Sequence, residues 1–91
     1  MIMGKNLQLG TVSLLTTDRQ ASSLAMNKLI TEHGHHIRAR LGLHVEPHCA
    51  EHCTGLITLA MEATEAEIKD LTVKLSEIPE ITAKYVVLTD E

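Results

Sequence analysis

Hydrophobic and polar positions in this chain follow two rhythms: four stretches suit strands, and two recur at helical spacing. Leu7 to Leu15 alternates loosely and carries Thr11, Val12 and Leu14, which favour a pleated, half-buried surface. Thr17-Asp18-Arg19-Gln20 follows, and Thr17 as N-cap with Gln20 three residues on reads as a capping box that opens a helix. Ala21, Leu24, Ala25, Lys28 and Leu29 make its stripe, with Met26 and Ile30 at the edges, so its apolar members are expected to face the core. Gly34 is the expected stop, leaving His33 in the last turn.

Residues 37–45 give the clearest strand. Ile37, Ala39, Leu41, Leu43 and Val45 point one way and are expected to meet the core, while Arg38, Arg40 and His44 point the other. A third strand runs from Leu56 to Glu62. Thr64-Glu65-Ala66-Glu67 is a second capping box, opening a helix with Ile68, Leu71, Leu75 and Ile78 on its inner face; Pro79 ends it. Ile81 to Leu88 alternates again. The order β-α-β-β-α-β predicts an α+β ferredoxin-like sandwich, a four-stranded antiparallel sheet with both helices on one face. The other face is left bare. Two guanidinium groups there, Arg38 and Arg40, suit a carboxylate or phosphate, a solvated edge or an oligomer contact.

The chain is short, 91 residues, and is read as one domain over 1–91. It has no Phe, no Trp and one Tyr, so aliphatic residues must fill a modest core, with Met26 and Met61 as filler. A homo-oligomer, dimer or tetramer, is the natural remedy. The net charge of −4 without a basic run argues against a nucleic-acid surface. No apolar run approaches the length of a membrane span, and the first residues lack the zones of a secretion signal. A cytoplasmic protein is expected, with thiols or metal ligands rather than a disulfide.

The chemistry concentrates in His44-Val45-Glu46-Pro47-His48-Cys49-Ala50-Glu51-His52-Cys53, which holds three of six histidines and both cysteines. Imidazole and thiolate are the donors that borderline-soft transition metals prefer. If Pro47 opens a short helical turn that Gly55 closes, His48 and His52 share one side, and Cys49 with Cys53 lies about 100° around the axis. Three of these donors could share one ion. Met1 and Met3 are further thioethers, but terminal mobility is the simpler reading. Catalysis finds little footing. Cys53 follows His52 directly, and such neighbours do not face each other on a helix; no orienting acid or oxyanion loop stands out.

Over nearly its whole length the chain resembles a small ACT-like family of iron-only hydrogenase system regulators. The shared pattern is a helix ending in Gly34, the strand Arg40-Leu41-Gly42, the helix Leu71-Thr72-Val73-Lys74-Leu75 with Pro79, and Lys84 in the next strand. The His/Cys turn is not part of that pattern. The chain also resembles the C-terminal metal-binding domain of nickel-responsive repressors: His33 at a helix end, His44 eleven residues on in a strand, and Cys53 near the next strand. Glu46 replaces a histidine of that pattern and is a harder donor. In those repressors two subunits share the ligands, which implies His33 from one chain with His44 and Cys53 from another. A DNA-binding ribbon-helix-helix has no room ahead of the first strand, so direct operator binding is not expected.

The expected function is thus a non-enzymatic regulatory domain of a homo-oligomer. It binds a transition metal, nickel or zinc, through some of His33, His44, His48, Cys49, His52 and Cys53, and acts through a protein partner. The alternative is an amino-acid-type ACT sensor without metal, although Thr16-Thr17-Asp18 stands where such sensors usually have a glycine-rich turn.

Overall fold

The computed structural model describes residues 6–45, 50, 51 and 53–89. Its elements are β1 (Gln8–Thr16), α1 (Arg19–Glu32), a 3-10 turn (Gly34–His36), β2 (Ile37–His44), β3 (Gly55–Ala63), α2 (Glu65–Ser76) and β4 (Ile81–Val87). The strands form one sheet in the order β2-β3-β1-β4, every neighbouring pair antiparallel. This is the ferredoxin-like arrangement that the element order predicts.

Strict alternation divides the two sheet faces. Val12 and Leu14 of β1 and Ile57, Leu59, Met61 and Ala63 of β3 turn inward. There they meet Ile68, Leu71 and Leu75 of α2 and Met26 and Ile30 of α1. Met26 and Met61 are core filler, as expected. Helix α2 also follows its sequence closely. Thr64 Oγ1 accepts from the Glu67 amide at 3.1 Å, the Glu67 carboxylate accepts from the Thr64 amide at 2.9 Å, and three fully buried aliphatics recur at helical spacing.

Helix α1 departs from the expected reading. Its N-cap is Asp18, not Thr17, because the Asp18 side chain accepts from the Ala21 amide at 3.0 Å. Its buried face is Ser22, Met26 and Ile30, while Leu24 is 87% exposed. A serine can occupy the core position because it is satisfied there: Ser22 Oγ lies 2.8 Å from Thr16 Oγ1 and 2.8 Å from the Asp18 carbonyl. Gly34 ends the helix without entering the left-handed region, and leads into the 3-10 turn instead.

Strand β2 departs further. Ile37 pairs with Met61 and Ala39 with Ala60, so Arg38 is an extra residue and the register shifts by one. After this bulge Leu41 lies opposite Thr58 and Leu43 opposite Leu56, on the uncovered sheet face, while Arg40 and Gly42 lie opposite inward-facing Leu59 and Ile57. The expectation that Ala39, Leu41, Leu43 and Val45 meet the core, with Arg40 on the bare face, is therefore overturned beyond the bulge; the side chain of His44 lies outside the described residues. Leu41 is 72% exposed and Leu43 57%.

Two glycines make the packing testable. A Cβ on Gly10 would run into the Val86 carbonyl oxygen of the adjacent strand, whereas one on Gly42 meets nothing within 4 Å. Gly10→Ala is expected to cost about 1–3 kcal/mol, seen as a lower urea midpoint, and Gly42→Ala to leave the midpoint level or raised. Equal midpoints for the two variants would contradict this packing.

Candidate functional site

Of the expected metal ligands, the described ones, His33, Cys53 and the backbone of His44, separate into two ends of the sheet. Because Gly55 pairs with His44, the backbone of His44 and of Cys53 lies at one end of the β2–β3 pair. The start of α1 braces this end: the Arg19 amide donates to the Cys53 carbonyl at 2.8 Å, and the Gln20 side-chain amide donates to the Ala50 carbonyl at 3.2 Å. Cys53 is 1% exposed and disulfide-bonded, so it is not the thiol the sequence reading expects. A thiolate there requires reduction. His48, Cys49 and His52 lie outside the described residues, as do Glu46, Pro47, Met1 and Met3.

His33 sits at the other end. Helix α1 has 14 residues between it and the Cys53 end, about 21 Å of rise. Its Nδ1 donates to the Leu29 carbonyl at 2.9 Å and its Nε2 faces Asp70 Oδ2 at 3.7 Å. Within one chain His33 therefore does not share an ion with His44 or Cys53. Among the described residues, no group of three or more His, Cys, Asp or Glu side chains is arranged to hold a metal.

A second histidine group, not singled out from the sequence, surrounds His33. The rings of His35 and His36 lie 3.9 Å apart between centres, tilted by 43°, and His36 Nε2 lies 3.1 Å from Glu67 Oε2. With Asp70 they line an open cleft of about 380 Å³ where the end of α1, the 3-10 turn and the start of α2 converge. The adjacent letters His35-His36 were visible; the carboxylates opposite come from a helix that is distant in the chain. The amide and then the hydroxyl of Thr64 hold the Glu67 carboxyl below its ordinary value near 4.5, with smaller help from His36 and His35. Lys74 Nζ, 3.0 Å away, does the same for Asp70, with His33 adding less.

The two arginines also part company. Arg38 Nε donates to Glu62 Oε1 at 3.0 Å, whereas Arg40 Nη1 turns toward α1 and donates to Asn27 Oδ1 at 3.0 Å. They do not form one anion-binding pair.

An antiparallel β2-β3-β1-β4 sheet with two helices on one face is the ferredoxin-like fold that ACT domains share. The chain belongs to the TM1266-like family, described provisionally as iron-only hydrogenase system regulators, with the match covering residues 8–85. It is similar to the structure of uncharacterized protein TM1266 from Thermotoga maritima (TM-score 0.80, 23% identity, 91% of this chain and 99% of that one). It is also similar to the ACT domain of GTP pyrophosphokinase from Chlorobium tepidum (TM-score 0.69, 12% identity, 88% and 99%). A PII-like signaling protein from Thermus thermophilus shares the fold more distantly (TM-score 0.54, 12% identity, 92% and 93%). No curated protein matches the chain. Neither the family nor these structures support the nickel-repressor likeness. Among the described residues, no helix is long and apolar enough to cross a membrane.

The Glu67 cap gives a pH test. A carboxylate held below its ordinary value stabilises the fold above that value, and the contribution is lost as pH falls through the lowered one. Glu67 is substantially exposed, so the effect is at most about 1 kcal/mol. Glu67→Gln is expected to unfold earlier than the parent in urea at pH 7 and to converge with it well below 4.5. A gap that is unchanged at low pH would refute the charge-dependent cap.

Proposed function

We propose that this protein is a non-enzymatic, cytoplasmic regulatory domain that works as a homo-oligomer, a dimer or tetramer, and acts through a protein partner. The observation that carries the proposal is the uncovered sheet face. Leu9, Leu15, Leu41, Leu43 and Val86 lie exposed on the side opposite the helices. An apolar surface of this kind is what an association interface uses, and a second copy is the occupant always at hand. Membership in a regulator family supports the regulatory role.

The second part of the proposal is a transition ion, nickel or zinc, bound in the reduced protein by donors of the turn: His44, His48, Cys49, His52 and Cys53. Its support is the donor set and the hairpin that returns Cys53 to within two residues of the partner of His44. His33 joins such a site only if a second copy supplies it, because α1 holds it at the far end of its own chain. A metal shared in that way would favour assembly by its differential affinity for the two states.

Native mass and metal content, measured on reduced protein with and without chelator, test both parts. We expect a multiple of the 10.0 kDa chain mass and a stoichiometric metal that the chelator removes. A combined Leu41→Glu and Leu43→Glu variant should run as a folded single chain. A parent that is already a single chain would remove the oligomer, and reduced protein without stoichiometric metal would remove the ion.

A further inference from the structure

We propose that the cleft between α1 and β2 binds a small anionic molecule, a phosphate or a dicarboxylate, through Arg40 and Arg19. This inference rests on the helix-side face of β2 and is independent of both the metal and the oligomer. A cavity of about 240 Å³ opens there, walled by Arg19, Ser23 and Asn27 of α1 and Arg40 and Gly42 of β2, over a floor that includes Ile57.

The wall is ordered. Arg19, Ser23 and Asn27 recur every four residues and so share one helix face. The Asn27 amide donates to Ser23 Oγ at 3.2 Å, which leaves Asn27 Oδ1 to accept from Arg40 Nη1 at 3.0 Å. Arg40 is thereby held by a neutral acceptor. Among the described residues, no ion pair involves Arg40. A guanidinium has five N–H donors in a planar fork, so this single bond leaves most of the fork to meet an oxyanion.

Glycine at two positions makes the space. Gly42 has no left-handed backbone to explain it, and a Cβ there would meet nothing within 4 Å. The residue is small where the cleft is open, and any longer side chain would fill it. A Cβ on Gly55, in contrast, would lie 2.7 Å from Arg19 Cδ. The absence of that carbon lets the Arg19 stem rest against β3 beside the cleft.

The volume sets the ligand class. At roughly 30 Å³ per water, the cleft has room for about eight water-sized groups, less than a drug-sized pocket offers. Two arginines in a chain of net charge −4 make a local rather than an extended positive surface, which suits a discrete small anion and not a nucleic acid.

The test is a titration of the whole reduced chain with inorganic phosphate, and separately with malonate, followed by nitrogen-edited NMR of the Arg and Asn side chains and by calorimetry. Saturable shifts of Arg40 and Asn27 are expected with at least one anion below about 10 mM. Whichever anion binds more tightly identifies the ligand as phosphate-bearing or dicarboxylate. Arg40→Gln should weaken binding at least about tenfold, in line with loss of a charge-assisted hydrogen bond. Gly42→Val, which leaves both arginines in place, should abolish binding without lowering the thermal midpoint. Arg38→Gln removes the same charge beside Glu62 and should bind as the parent does. No saturable shift with either anion, a Gly42→Val variant that binds normally, or equal losses in Arg38→Gln and Arg40→Gln would each overturn the proposal.

Discussion

One unpaired residue decides what both faces of this sheet present. Arg38 stands in β2 without a counterpart in β3, between the pairs Ile37–Met61 and Ala39–Ala60. Side chains on a strand alternate, so a single inserted residue exchanges the faces of everything after it. Beyond the bulge Leu41 and Leu43 reach the open face, and Arg40 and Gly42 turn toward α1. Without it, the arginine and the leucines would change places. The apolar surface proposed for a second copy and the cleft proposed for an anion would both be lost.

Helix α2 was legible because two local signals agree there, although it ends at Ser76 and Ile78 packs against the core from beyond it, ahead of Pro79. A reciprocal cap at Thr64 and Glu67 starts the helix, and Ile68, Leu71 and Leu75 recur at its period. Strand order and the positions of β1, β3 and β4 were legible to within a residue for the same reason. Helix α1 was not, because its core position is held by Ser22, which is tolerable only through hydrogen bonds to Thr16 and Asp18. A polar residue satisfied by tertiary contacts looks, in sequence, like a surface residue, and the apolar stripe through Leu24 was the decoy.

The sites were less legible than the fold. The perfect alternation in 37–45 is real, yet a bulge leaves no mark in letters, so the pattern was assigned to the wrong face. The eleven-residue spacing of His33 and His44 fits only a site that two chains share. A helix end followed by a returning strand places those two residues at opposite ends of the sheet, about 21 Å of helix apart. Conversely, the meeting of His33, His35 and His36 with Glu67 and Asp70 is made by the packing of α1, the 3-10 turn and α2, and no local motif encodes it.

Strand β2 is also where the two proposed surfaces touch. Ile37 apart, its described side chains are exposed on both faces, and it borders the sheet with a single strand neighbour. Elements with so few buried contacts are the ones whose local stability is lowest. Leu41 and Leu43 face one way and Arg40 the other, so an anion held in the cleft and a second copy against the open face would act on the same short backbone. Binding energies at two sites are coupled when both depend on one element with two arrangements, and the coupling is reciprocal. If both proposals hold, an aliphatic core that buries α2 firmly and leaves β2 exposed would let the anion and the second copy act on each other through that strand.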